Sequence, residues 1–314
     1  MIYPWLTEHW SFFLRCLEQG RLAHALMIEG PAGSGKNALA TAMVAKLLCS
    51  EQLPEACKQC RSCKLLAGGA HPDRFEIQPE EDSDVIKVDQ VRALIASLDL
   101  TPWISARKVA CIHPAQSMNL AAANALLKSL EEPAGNTVLI LVCSEPARLP
   151  VTIRSRCQSI VVSQPDDQLV LEWLESTSTK PRDEVSAALK AAGGSPLRAA
   201  RYLDSPECDA YGQVQEGLAT LLARPGSVAL ISTGLAELNP DDLWRWLSMC
   251  TGEAVKSVMA GMAASWVPAG TCLQAKSLLE LQQQADFNRS LSATPIRGDL
   301  LLQDWLIRWA EQSI

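Results

Sequence analysis

The sequence predicts an α/β domain built on a parallel sheet with helices on both faces, then a small helical domain, then a helical C-terminal domain. Three observations carry this reading. Short apolar runs alternate with helical segments as far as Val162. A glycine-rich loop joins the first run to a helix. After Ser163-Gln-Pro165 no convincing strand follows.

The first strand is expected in His24-Ala-Leu-Met-Ile-Glu29, ended by Gly30-Pro-Ala-Gly-Ser-Gly35. Residues 38–48 then have helical composition, with Leu39, Met43 and Leu47 at four-residue spacing. Lys108-Val-Ala-Cys-Ile112 and Thr137-Val-Leu-Ile-Leu-Val142 are the next strand candidates, and Ile160-Val-Val162 is the fourth. Between the middle two, Asn119 to Glu132 is rich in Ala, Leu, Lys and Glu, and Pro133 stops it. Residues 172–203 are helical in pattern, broken at Gly193-Gly194, and Ser205-Pro206 marks a second boundary. Beyond it, Leu278-Leu-Glu-Leu281 and Leu300 to Ile307 carry apolar stripes. The expected domains are therefore 1–164, 165–205 and 206–314.

The bulk properties narrow the function. A chain of 314 residues, 48% hydrophobic, supports two or three cores. No run of about eighteen apolar residues suggests a membrane span, and the N-terminus lacks a secretory pattern. The net charge of -7 does not draw phosphate to the chain as a whole, which favours protein partners. Most of the eleven cysteines are scattered among apolar neighbours, as reduced thiols in the cytoplasm would be.

Gly30-Pro-Ala-Gly-Ser-Gly35-Lys36 fits the first seven positions of a nucleotide phosphate loop, in the strand-to-helix context that the motif requires. Gly30, Gly33 and Gly35, with Ser34, let backbone amides converge on phosphate. The helix N-terminus adds positive potential, and Lys36 reaches the terminal phosphates. The eighth position is Asn37, where a Ser or Thr hydroxyl normally holds Mg²⁺. The strand ending at Ile112 runs into His113-Pro114, where hydrolysis needs a carboxylate. Nucleotide binding stays open on this pattern; hydrolysis is disfavoured.

Cys49, Cys57, Cys60 and Cys63 lie within fifteen residues, among polar neighbours such as Lys58, Gln59 and Arg61. Cys-x₂-Cys turns present sulfur pairs to one ion, and Zn²⁺ takes four such ligands in a tetrahedron. With no catalytic water position suggested, the expected zinc is structural.

Cys60-Arg-Ser-Cys63, His71-Pro-Asp73 ahead of a strand, Ala122 to Pro133, Ser144-Glu-Pro146 and Ile153-Arg-Ser-Arg-Cys157 together resemble bacterial clamp-loader subunits of the AAA+ family. The resemblance runs from about Ala23 to Cys157 and continues more weakly to the C-terminus. His113-Pro114 sets the chain apart from the ATP-hydrolysing gamma/tau subunits, while Tyr3-Pro-Trp-Leu6 and Asp299 to Trp305 look like a non-hydrolysing branch. The resemblance implies a RecA-like AAA+ domain carrying a zinc module at about 49–63, a helical lid domain and an all-α collar domain. It also implies a five-subunit ring with gamma/tau and delta that loads the beta sliding clamp onto primed DNA for DNA polymerase III. By the same resemblance Arg156 would be an arginine finger reaching the ATP site of a neighbouring gamma/tau subunit, and Arg198 a nucleotide-sensing residue. Two other readings compete: an active ATPase of the same fold, and a zinc-dependent nucleic-acid-binding module. The phosphate-loop changes oppose the first. The net charge and the lack of interleaved basic and aromatic residues oppose the second.

Overall fold

A computed structural model describes residues 2–81, 83–205, 207–291 and 297–313. The chain divides into two compact units: residues 1–179 with 194–198, and residues 180–193 with 199–314.

The first unit opens with helix α1 (Thr7–Glu18), then strand β1 (Ala25–Glu29), α2 (Lys36–Leu48), α3 (Arg61–Ala67) and β2 (Arg74–Ile77). It continues through α4 (Val88–Leu98), β3 (Lys108–Ile112), α5 (Leu120–Glu131) and β4 (Thr137–Cys143), and ends with α6 (Val151–Arg154), β5 (Gln158–Val161) and α7 (Asp167–Thr177). The five strands are parallel, in the order β2-β3-β4-β1-β5. β3 has the bounds that the sequence suggests. β2 was not among the four apolar runs, because Arg74-Phe-Glu-Ile77 is a short edge strand with one buried residue. The phosphate-loop helix starts at Lys36, two residues earlier than its composition indicates, since Gly35 turns the chain at φ 90° and caps it.

Strand alternation fills both faces. Ala25 and Met27 of β1, with Leu139, Leu141 and Cys143 of β4, point to the layer of α4 and α5, where Leu94 and Leu126 pack. Leu26 and Ile28, with Val138, Ile140 and Val142, point to the layer of α1 and α2, where Phe13, Leu39 and Met43 pack. All seven residues of β4 are buried, as a central parallel strand requires. Each such aliphatic side chain contributes roughly 1.5–3 kcal/mol.

A polar hub ties the start of β2 to distant backbone. Asp73 is fully buried; its Oδ1 accepts the Trp103 amide at 2.6 Å, and Oδ2 accepts those of Ile104 and Ser105, both at 2.8 Å. The Asp73 amide donates to His71 Nδ1 at 3.1 Å, so the ring proton sits on Nε2 and is donated to Ser62 Oγ at 2.7 Å. Ser62 and Ser105 hydroxyls both donate to the Leu48 carbonyl, at 2.6 and 2.9 Å. Burial opposes ionisation of Asp73, but the three amides outweigh it and hold the carboxyl below its usual range.

The second unit is helical: α8 (Arg182–Ala191), the C-terminal part of α9 (Pro196–Leu203), α10 (Glu207–Ala223), α11 (Val228–Leu235), α12 (Pro240–Met259), α13 (Ala275–Ser290) and α14 (Gly298–Ala310). Its core includes Trp246, Trp305 and Trp309. Inside it, buried Asp242 accepts from Tyr202 Oη at 2.7 Å and from Arg245 Nη2 at 2.8 Å, while Arg245 also donates to the Ala191 carbonyl at 3.0 Å. Pro206, part of the predicted second boundary, lies outside the described residues.

Asp73→Ala removes a buried carboxylate and leaves three backbone amides without their acceptor. Stability should fall by about 3 kcal/mol, read from urea unfolding. A loss under about 0.5 kcal/mol would mean that the 103–105 backbone is held by other contacts.

Candidate functional site

The C-terminal ends of parallel strands are where such sheets bind ligands. Here the ends of β1 and β3 flank β4 and bring two sequence-predicted positions together. Gly30, Gly33 and Gly35 have φ of 150°, 76° and 90°. The loop between them lies under chain from three directions. Trp5 Nε1 donates to the Ser34 carbonyl at 2.8 Å. Ser195 Oγ donates to the Ala32 carbonyl, and the Leu197 amide to the Gly33 carbonyl, both at 3.2 Å. A Cβ at Gly33 would lie 2.1 Å from Ser195 Oγ, and one at Gly35 would lie 2.9 Å from the Tyr3 ring. Tyr3 and Trp5 stack with centroids 5.0 Å apart, and Trp173 meets both edge-on.

Lys36 is buried, and its Nζ donates to the Pro31 carbonyl of its own loop at 2.6 Å. Burial pushes its ammonium down to about 8, with the Cys143 thiol pulling weakly the other way. The Asn37 amide donates to His113 Nε2 at 2.7 Å. Burial first, and then the Lys36 charge, hold the imidazole below its usual range and therefore neutral. The two positions that would hold Mg²⁺ in a hydrolase thus bond to each other. Neither supplies a carboxylate.

Arg198 is half-buried, and its backbone nitrogen would lie 3.7 Å from a Cβ at Gly33, beside the phosphate loop. Arg156 stands elsewhere, just past α6. Its Nε donates to Glu131 Oε1 at 2.7 Å, Nη2 approaches the same oxygen at 2.5 Å, and Nη1 donates to the Thr152 carbonyl at 3.0 Å. The side chain is 36% exposed.

The four cysteines converge. Cys49 and Cys60 sulfurs are 4.0 Å apart, Cys57 and Cys63 sulfurs 3.9 Å, and all four lie within 4.8 Å of one another. Thiolates at about 2.3 Å around a tetrahedral ion would lie about 3.8 Å apart, so the set can hold a metal. Cys60 caps α3 and accepts the Cys63 amide at 3.3 Å; Cys57 accepts the Cys60 amide at 3.2 Å. Burial resists ionisation of Cys60, but the Cys63 amide and Ser50 draw its thiol down to about 5. Burial sends Cys63 the opposite way, up to about 12.

A family model described as "DNA polymerase III, delta subunit" matches residues 5–166. The chain is 32% identical to the DNA polymerase III subunit delta' of Escherichia coli, over 98% of this chain and 94% of that one. The chain belongs to the DNA polymerase III delta-prime family. It is also 44% identical to the delta' subunit of Pseudomonas aeruginosa over 70% of this chain and 67% of that one. Among solved structures, a gamma subunit-related protein of Thermotoga maritima aligns over 97% of this chain and 99% of that one, at 16% identity and a TM-score of 0.48. The branch of clamp-loader subunits that Tyr3-Pro-Trp-Leu6 resembles is the delta-prime family. Sequence reading did not connect Tyr3, Trp5, Trp173 or Ser195 to the phosphate loop, nor Glu131 to Arg156; their partners are 25 or more residues away, and no spacing signals them.

The lowered Lys36 gives a pH signature. The unfolded chain binds its proton up to about 10.5 and the folded chain only up to about 8, so folding gains stability as pH rises between them. Relative to Lys36→Met, the wild type should gain stability from pH 7 to pH 10 (about the window of the shift) in paired urea titrations. A constant difference across that range would show an ordinary, solvated lysine.

Proposed function

We propose that the chain is a non-hydrolysing clamp-loader subunit that assembles with gamma/tau and delta subunits and acts on a neighbour's ATP site rather than on one of its own. The observation that carries this reading is the Asn37–His113 hydrogen bond, which occupies both Mg²⁺-holding positions with neutral nitrogen groups. Lys36, turned onto the Pro31 carbonyl, supports it. Family membership supports the setting: a DNA polymerase III loader that places the beta sliding clamp on primed DNA during replication. Residues 1–164 would be the AAA+ domain, 165–205 the lid and 206–314 the collar. A cytoplasmic replication role suits ten free thiols among the described residues, and no described helix is long and apolar enough to cross a membrane.

Arg156 is the proposed arginine finger. Its guanidinium is partly exposed, and its held partner is a single carboxylate beside a backbone carbonyl. Set against a neighbouring γ-phosphate it would neutralise charge as the phosphoryl group transfers. Arg198 is the proposed sensor. Cys49, Cys57, Cys60 and Cys63 would hold one structural Zn²⁺, which fixes the turn between α2 and α3.

Protein purified without chelators should carry about one zinc per chain, the content of a closed four-thiolate site. Cys60→Ser should lose it and loosen the 49–63 segment to proteolysis before the rest of the fold. Metal analysis finding no zinc in the intact protein would end this assignment.

Reconstituted loaders test Arg156. Alone, the wild-type chain should turn over no ATP. In complex, Arg156→Ala should assemble normally yet lower DNA-stimulated ATPase by at least the share of the one affected site. The affected site should lose about 10³-fold or more, and the remaining sites limit the total loss. Arg156→Lys should not restore it, because an ammonium lacks the planar fork. Full activity in an assembled Arg156→Ala loader would leave the residue as a surface ion pair.

A further inference from the structure

The first unit carries a second concave feature, away from the phosphate loop. It is a cleft of about 980 Å³ walled by the ends of α1 and α2, the turn to Leu53, the start of α3 and the 103–107 segment. Arg107 lines it immediately before β3 begins, whereas His113 follows the end of β3. The cleft and the phosphate loop therefore lie at opposite ends of the strands.

The cleft is built rather than incidental. Its Trp103, Ile104 and Ser105 backbone is fixed by the buried Asp73 carboxylate, and Ser62 and Ser105 are tied to the Leu48 carbonyl and to His71. Three cations line it: Lys46, Arg61 and Arg107. Among the described residues, Lys46 Nζ donates to the Glu51 backbone carbonyl, at 3.2 Å, and to no carboxylate. Arg61 and Arg107 have no ion pair or hydrogen bond among the described residues, and Arg107 is half-buried. Burial holds its guanidinium below the usual range, the condition of a cation short of an anion. Beside them stand apolar groups without cover: Trp103 is 80% exposed and Leu53 53% exposed.

We propose that this cleft binds an acidic peptide segment of a partner protein, with carboxylates on Lys46, Arg61 and Arg107 and an apolar side chain against Trp103 and Leu53. Exposed Trp and Arg at one site form the kind of pair on which protein interfaces concentrate their energy. Charge decides against nucleic acid. Glu18 and Glu51 share the same walls, and the chain carries -7 overall, so a backbone charged at every residue meets repulsion along the cleft. A peptide can set its carboxylates opposite the three cations and an apolar side chain elsewhere.

The test uses the full chain and a fluorescein-labelled, end-capped Glu-Glu-Leu-Phe-Glu-Glu peptide in fluorescence anisotropy. Saturable binding is expected, weakened by added salt and about tenfold weaker in each of Trp103→Ala and Arg107→Gln. The same peptide with lysines in place of glutamates should not bind. Trp103 is a surface side chain, so its truncation leaves the fold intact, and circular dichroism checks both variants. Should Arg107→Gln fail to fold, Arg61→Gln takes its place. No saturation by about 1 mM peptide, or binding unmoved in the folded variants, overturns the proposal. Tighter binding of a labelled oligothymidylate of equal charge, lost in the same variants, would make the cleft a nucleic-acid site and overturn the peptide assignment.

Discussion

The parallel pairing of β1 with β4 and of β4 with β3 is the constraint on which the candidate nucleotide site depends. Leu26 pairs with Ile140 and Ile112 with Leu141, so the chain leaves β1 at Gly30 and β3 at His113 at the same end of the strands. That geometry lets Asn37 and His113, 76 residues apart, form a 2.7 Å hydrogen bond. It also directs the opposite strand ends, at Arg74 and Lys108, toward the Asp73 hub. Burial of β4 on both faces holds the whole arrangement: all seven of its residues are buried, so the strand cannot slip by one residue without exchanging the two cores.

Much of this was legible in the sequence, for identifiable reasons. β1, β3 and β4 are interior strands whose apolar runs carry no polar residue between their ends. β2 is a short edge strand in which Ile77 alone is buried and Arg74 forms a salt bridge with Glu76, and it has no such run. α1 and α4 were not read from the sequence, although each buries one face, through Trp10 and Phe13 or Val91 and Leu94. The four cysteines could be assigned together because a metal site is mostly local: only 14 residues separate Cys49 from Cys63. His71-Pro-Asp73 was visible as a motif but not as a hub. The groups it holds are backbone amides at 103–105, and backbone carries no sequence signature.

The phosphate loop keeps the shape of its motif while other parts of the chain engage its backbone. Its three glycines still adopt the conformations that expose backbone amides. Yet Trp5, Ser195 and Leu197 now engage the carbonyls of Ser34, Ala32 and Gly33, and Lys36 engages that of Pro31. Four consecutive loop carbonyls, from Pro31 to Ser34, are thus satisfied by the protein itself. A loop held in this way needs no ligand to stay ordered. That suits a subunit that, on the proposed function, acts on a neighbour's ATP site rather than on one of its own.

The same logic applies to Arg156. An arginine that must act on another subunit has to be positioned before that subunit arrives, yet released without a large penalty. Glu131 and the Thr152 carbonyl fix the guanidinium through both Nε and Nη1, so its orientation is set by α5 and α6 rather than by solvent. The ion pair is half-exposed, with Glu131 at 51% and Arg156 at 36%, and pairs of that kind contribute only about 0–1 kcal/mol. Charge developing on a phosphoryl group in a water-excluded interface attracts a guanidinium more strongly than that. On the proposed function, Glu131 therefore acts as a holding partner: strong enough to aim Arg156 and too weak to keep it.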